Sequence, residues 1–280
     1  MTKTLSVNFL QMHYRSVLVT ALIGTLLLLP HLRATAATTS PFVYSFSVDG
    51  TLNETGSMGE STSPYFWLNS GGRLVLTGGV GQTIQGSLPS SDKWYQLYAA
   101  NNPLDTAGGA HPQNLLRLVT KSTWGNSSEQ VSFRIKRINV DNTPNRSGYS
   151  GVLLMSHYQD GFNLYYAGIR MDGTAVIKRK QGGTYTTLAQ STVWPGSYNY
   201  TSNPNLIPTN TWMGLKTETI TNGDGSVTIN LYLDANNTGA WTKILSTKDT
   251  ASNAVAGSGS SGIRTDYMDV QFDNLRITPL

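Results

Sequence analysis

The segment Ser226–Asp234, SVTINLYLD, places Val227, Ile229, Leu231 and Leu233 on one side of an extended chain and Thr228, Asn230 and Tyr232 on the other. A period of two suits a half-buried strand and spoils a helix, whose apolar stripe needs a period of about 3.6. Ahead of it stand the turn signal Asn222-Gly223-Asp224-Gly225 and the run Trp212–Ile220, WMGLKTETI. Strand, turn and strand predict an antiparallel hairpin. A second hairpin joins Phe162–Met171 to Thr174–Lys180 through Asp172-Gly173. Further strands are predicted over Phe42–Val48, Arg73–Thr77, Leu115–Thr120, Val131–Val140, Val152–Tyr158, Thr184–Ala189, Trp241–Ser246 and Tyr267–Ile277. No helix is predicted beyond residue 36. Short strands with glycine-rich turns and no interleaved helices predict an all-β fold, an antiparallel β-sandwich or jelly roll.

The first residues follow a different rule. Lys3 and Arg15 precede an uncharged apolar run, Val17–Pro30, and Ala34-Thr35-Ala36 supplies small residues where a signal peptidase cuts. The apolar run is about 14 residues long, short of the roughly 20 that a membrane span needs. Residues 1–36 therefore read as a secretory signal peptide and residues 37–280 as one domain. The expected location is secreted, periplasmic or at the cell surface, with no membrane partner after cleavage. The formal net charge of +4 loses Lys3, Arg15 and Arg33 with that segment, leaving roughly +1, too little basic surface for nucleic acid as the main partner. The chain has no cysteine, which removes thiol nucleophiles and cysteine zinc sites from consideration. A monomer is expected.

Two long loops, Leu88–Asn114 and Gln190–Thr211, are rich in Pro, Asn, Tyr and Trp, and loops of that length are often functional. Exposed aromatic rings cover the apolar faces of sugars while amides and guanidinia bond the hydroxyl edges. Tyr65, Trp67, Trp94, Gln113, Asn114 and Tyr165 are the candidate sugar-binding residues. Tyr165 and Tyr166 are neighbours on one strand, so they point to opposite faces. A glycoside hydrolase needs two carboxyl groups at a set gap. The only glutamates after residue 36 are Glu54, Glu60, Glu129 and Glu218, and Asp269 and Asp273, on one strand face, would sit about 13 Å apart. β-Elimination on a uronate polymer instead needs a group to neutralise the sugar carboxylate, a base, and an acid for the leaving oxygen. His111, Arg117, His157, Tyr166 and Arg170 are the candidates for that set. The basic run Lys178-Arg179-Lys180 reads either as a solvated edge or as an attraction for an acidic polymer. An acidic residue on the last strand, near Asp49-Gly50, could bind calcium through oxygen ligands.

The ending GIRTDYMDVQFDNLRI and the hairpin NLYYAGIRMDGTAVIKRK resemble the concanavalin A-like jelly-roll superfamily, which includes laminin G-like modules, laminarinases and jelly-roll alginate lyases. Tyr65–Gly72, Trp94–Tyr98 and His111–Thr120 are similar to uncharacterised exported bacterial proteins of this type. The resemblance implies two curved sheets with a concave glycan groove, and often a structural calcium near the chain ends with Asp273 as its ligand. It departs from the laminarinases, whose E-x-D-x-x-E motif is absent. Toward the alginate lyases, Leu115-Leu-Arg117-Leu stands where an R-S-E-L-R type strand would be. His157 stands where a Q-I-H type histidine would be, and Gly262-Ile-Arg264 where an A-G-x-Y type segment would be. Three functional readings follow: a secreted carbohydrate-binding protein, a polysaccharide lyase acting on an acidic polymer, and a non-catalytic cell-surface or adhesion module.

Overall fold

A computed structural model describes residues 37–280; the predicted signal peptide lies outside the described residues. In chain order the strands are β1 (Phe42–Tyr44), β2 (Gly50–Asn53), β3 (Phe66–Ser70), β4 (Arg73–Thr77), β5 (Val80–Gln82), β6 (Leu115–Trp124), β7 (Ser127–Ile138) and β8 (Gly151–Asp160). There follow β9 (Asn163–Arg170), β10 (Thr174–Gln181), β11 (Thr184–Thr192), β12 (Met213–Thr221), β13 (Val227–Asp234), β14 (Thr242–Asp249), β15 (Gly259–Asp266) and β16 (Met268–Pro279). One α-helix, α1 (Lys93–Asn101), lies between β5 and β6. Among the described residues no helix is long and apolar enough to cross a membrane.

The strands form two antiparallel sheets, the two layers of a β-sandwich. The larger, nine-stranded sheet runs β14-β13-β12-β7-β16-β5-β4-β2, with β1 also paired to β16. The smaller, seven-stranded sheet runs β11-β10-β9-β8-β15-β6-β3. The predicted hairpins are β12–β13 and β9–β10, in registers such as Leu215↔Leu233 and Ile169↔Ala175. Inward side chains from both sheets, among them Leu116, Leu118, Phe133, Ile135, Leu154, Ile169, Leu231, Val270 and Phe272, make one core at 0–1% exposure.

The outer face of the smaller sheet is also covered. Val119, Leu153, Met155, Tyr158, Leu164, Tyr166 and Val176 form a second apolar cluster there, with Met58 and Trp67 packed on it. Strands β8 and β9 are consequently buried almost without a break, so no polar-apolar alternation marks them.

The structure differs from the sequence expectation in three places. Helix α1 occupies the middle of the predicted loop Leu88–Asn114: Asp92 caps it by accepting from the Trp94 N–H at 2.8 Å, and Trp94 and Tyr98 pack one turn apart on Ile84 and Leu88. Strands β2 and β3, at sheet edges, and β5, between β16 and β4, are short pieces that no periodicity marks. Strand β15 reads GSSGIRTD, with too few apolar residues to announce a strand, yet it is an inner strand of the smaller sheet, between β8 and β6. Its glycines are forced by close approach, since a Cβ on Gly262 would lie 2.2 Å from the Leu118 carbonyl oxygen and one on Gly259 2.4 Å from the His157 carbonyl carbon.

Charge-bearing side chains are buried in the sandwich, among them Asp249, Arg179 and Glu129. Asp249 on β14 takes bonds from Arg179 on β10, with both of its oxygens 3.1 Å from Nη1, and from the Tyr165 hydroxyl at 2.7 Å, so this carboxylate ties the two sheets together. Glu129, 2% exposed on β7, has no hydrogen-bond partner of ordinary geometry at either oxygen among the described residues, and burial, only partly offset by the nearby Gly262 N–H, pushes its carboxyl well above the usual carboxylate range.

Two outcomes follow. Asp249→Asn leaves a buried guanidinium without its counter-charge and should cost about 3–5 kcal/mol in denaturant unfolding, much of it recovered in the double variant with Arg179→Met. Glu129 has a folded-state pKa above its unfolded value, so its penalty is absent in acid and grows as pH rises above the ordinary carboxylate range. Glu129→Gln should therefore melt higher than the parent at pH 8 by a margin that shrinks toward pH 4; an equal margin at both pH values would refute the assignment.

Candidate functional site

Alternation along the smaller sheet decides which side chains reach its outer face. From β6 come Arg117 and Val119, from β15 Arg264 and Asp266, from β8 Leu153 and Met155, from β9 Tyr166 and Arg170, and from β10 Lys178 and Lys180. Register aligns Arg117, Arg264 and Leu153 in one cross-strand row and Met155, Tyr166 and Lys178 in the next. Tyr185 of β11 and the segment Asn145–Ser150 rise as walls, and Asp105 and Tyr267 close one end. The result is a groove of about 340 Å³.

Arg264 is the hub of the groove. Its Nη1 donates to the hydroxyls of Tyr185 (3.1 Å) and Tyr166 (3.3 Å), and its Nε donates to Asp266 (2.9 Å). The rings of Tyr166 and Tyr185 stack with centroids 6.0 Å apart. Arg170 is held by Asp172 and lies 4.4 Å from the centre of the Tyr149 ring. Arg117 donates to Asn69 at 2.9 Å, while among the described residues its buried Nε has no hydrogen-bond partner.

The face is electropositive. Arg117 and Arg264 stand directly opposite each other on neighbouring strands, an arrangement that repels, and Asp266 pairs with Arg264 alone. Burial and the nearby Arg170 pull the Lys178 ammonium below its usual pKa. Burial alone would raise Tyr185, but Arg264, Lys180 and Arg117 outweigh it and bring that phenol below its ordinary value. Burial keeps Tyr166 above its ordinary value despite Arg264 and Arg117. Two stacked phenols thus have their pKa values pushed apart, the pattern that separates a base from an acid.

Of the residues predicted from sequence, Arg117, Tyr166 and Arg170 share this face, and Trp67 lies at its β3 edge with Nε1 donating to the Thr55 carbonyl. The others do not reach it. Tyr165 points into the core, because its neighbour Tyr166 takes the outer side. A bulge between Ser156 and Asp160 turns His157 inward, with φ of 45°, its Nδ1 2.9 Å from the Val255 carbonyl and its ring edge-on to Tyr165. His111 is buried between Ser87, Gln113 and Asp141, and burial lowers its pKa against the pull of Asp141 and Asp269. Gln113 donates to Asp269 and the Gly86 carbonyl, and Asn114 bonds Asn139 and the Asp105 backbone, so both are structural amides rather than sugar contacts. Trp94 is buried on α1. Tyr65 is exposed but stands in an aromatic cluster with Phe42, Tyr44 and Phe66.

The predicted calcium ligands are not brought into a donor set. Asp273 accepts from the backbone and side-chain N–H groups of Asn274, and Asp49 borders a separate, largely apolar cavity with Tyr44, Phe46 and Leu52. Among the described residues no three His, Cys, Asp or Glu side chains cluster so as to hold a metal ion. The side chains present do not fit calcium at this position.

Sequence reasoning met Arg264 only as the residue standing in an A-G-x-Y type segment, and passed over Tyr185, Asp266, Tyr149 and Tyr267. Part of the signal lay in the run Lys178-Arg179-Lys180: alternation sends Lys178 and Lys180 to the groove face and Arg179 inward to Asp249.

No family model matches the chain, and no curated protein matches it. Among solved structures it is similar to the carbohydrate-binding module CBM66 from Bacillus subtilis (17% identity, TM-score 0.41, covering 58% of this chain and 81% of that one). It is also similar to the GH43 protein BlXynB from Bacillus licheniformis (12% identity, TM-score 0.47), of which it spans only 39% while 85% of this chain is covered. A third likeness is to a Bacillus licheniformis beta-glucanase (11% identity, TM-score 0.44, covering 87% of this chain and all of that one).

Proposed function

We propose that this is an exported carbohydrate-binding protein that holds an acidic polysaccharide in the groove on the outer face of the smaller sheet. The observation that carries this reading is the Tyr166–Arg264–Tyr185 arrangement. The Tyr185 ring, stacked on the buried Tyr166, offers flat apolar surface, and a guanidinium bonded to both hydroxyls and facing Arg117 across the strand pair offers charge to an anionic sugar substituent. A carboxylate placed there relieves the repulsion between the two arginines. An export signal in residues 1–36 would deliver the domain to where such polymers occur.

A second reading is favoured by one specific feature, the opposed shifts of the two phenols. On a uronate, Tyr185 as phenolate would take the proton at C5, the C4–O bond would break with formation of a C4=C5 double bond, and Tyr166 would protonate the leaving oxygen. Arg264 and Arg117 would stabilise the charge that develops on the carboxylate during this step.

Binding should be read by calorimetry on alginate, pectate and neutral β-glucan. The acidic polymers should bind and weaken steeply with added salt, and Arg264→Gln or Lys178→Gln should weaken them about ten-fold with the melting temperature checked alongside. Equal binding of the neutral glucan would refute the charge argument. Turnover should be read by the ultraviolet absorbance of the unsaturated product, rising with pH as Tyr185 deprotonates below the usual phenol range. In that case Tyr185→Phe abolishes turnover while retaining binding; no absorbance from the parent on any acidic polymer leaves a binding protein.

A further inference from the structure

We infer that ligand contact does not stop at the groove but continues along strands β9 and β10 to Phe162, forming an extended track for several units of an acidic sugar chain. This rests on the glycan reading of the groove and adds its length, direction and outermost subsite.

Three exposed aromatic rings, Tyr149 from the segment before β8, Tyr185 from β11 and Phe162 from the β8–β9 turn, each stand beside a cation carried on the outer face of β9 or β10. At one end Tyr149, 66% exposed, has Arg170 at 4.4 Å and Lys178 at 5.9 Å from its ring centre. In the middle Tyr185, 49% exposed, has Lys180 at 5.0 Å and bonds Arg264. At the far end Phe162, 63% exposed, has the same Lys180 at 5.5 Å. Lys178 and Lys180 lie on β10, which pairs antiparallel with β9 and sets them opposite Tyr166 and Leu164. From Phe162 to Arg170 is eight residues, roughly 26 Å at about 3.3 Å per residue.

Phe162 is not a loosely tethered turn residue. Its N–H donates to Asp160 at 2.7 Å, its carbonyl accepts from the Gly183 N–H at 3.2 Å, and Lys180 Nζ caps the adjacent Gly161 carbonyl at 2.7 Å. The turn therefore holds a bare hydrocarbon ring out to solvent in a fixed place, beside an ammonium. Such pre-organisation is what a stacking subsite needs, because little freedom is lost when a sugar face settles on it. Phe162 has no hydroxyl, so it recognises the apolar face of a ring, and Lys180 recognises the anionic group on that ring or the next.

The test is calorimetry on size-fractionated oligogalacturonates and alginate oligomers from two to six units. The parent should gain affinity with each added unit across this range. In Phe162→Ala the gain should stop earlier, leaving the longest oligomers about five-fold weaker than in the parent, and Phe162→Trp should restore it. Tyr185→Ala should lose affinity at every length. A Phe162→Ala variant that follows the parent's length dependence overturns the track while leaving the groove reading intact. If the folded parent binds no oligomer of either series, the groove reading fails and the track fails with it.

Discussion

The buried face of one strand pair governs the rest of the molecule. On β9, Tyr165, Ala167 and Ile169 enter the core between the sheets, while Leu164 and Tyr166 enter a second apolar layer on the outside. A sheet buried on both faces is stiff, because every side chain is packed and none can rotate without opening a void. That stiffness lets Arg264, Tyr166 and Lys178 keep fixed positions in a groove. Asp249 reinforces it from within, since Arg179 and Tyr165 of the smaller sheet both depend on a carboxylate of the larger one.

Electrostatics in the groove follows from the same covering. Arg117 and Arg264 would be indifferent to each other on a flat, wet surface, where salt and water screen them. Packed over Leu153 and Met155 and walled by Tyr149 and Tyr185, they interact through a medium of lower effective dielectric. Burial and Arg170 hold Lys178 below the usual ammonium range, while burial is outweighed at Tyr185, where Arg264, Lys180 and Arg117 bring the phenol below its usual range. An anion entering the groove would meet this field already assembled, which is the form of recognition that costs least on binding.

Aromatic residues in this protein divide by role according to which face they occupy. Tyr165, Trp94, Tyr98 and Trp124 are core rings. Phe42, Tyr44, Tyr65 and Phe66 close the edge near β1. Tyr149, Tyr185 and Phe162 stay exposed on the outer face of the smaller sheet, each beside a lysine or arginine. Composition alone does not make this division, since all three groups use the same residue types.

The sequence by itself determined the all-β character, the two principal hairpins and the extents of strands such as Arg73–Thr77, because a period of two and a glycine turn are local properties of the chain. It also placed Tyr165 and Tyr166 on opposite sides of one strand. It could not reveal β15, whose glycines and serines carry no apolar period and are needed only because neighbouring backbones approach so closely. Nor could it see that a bulge turns His157 inward, that a capped helix takes Trp94 into the core, or that Arg264 on β15 meets Tyr185 on β11, four strands away in the sheet. Those facts belong to strand order and register, set by long-range pairing between segments far apart in the chain, and only the tertiary structure decides them.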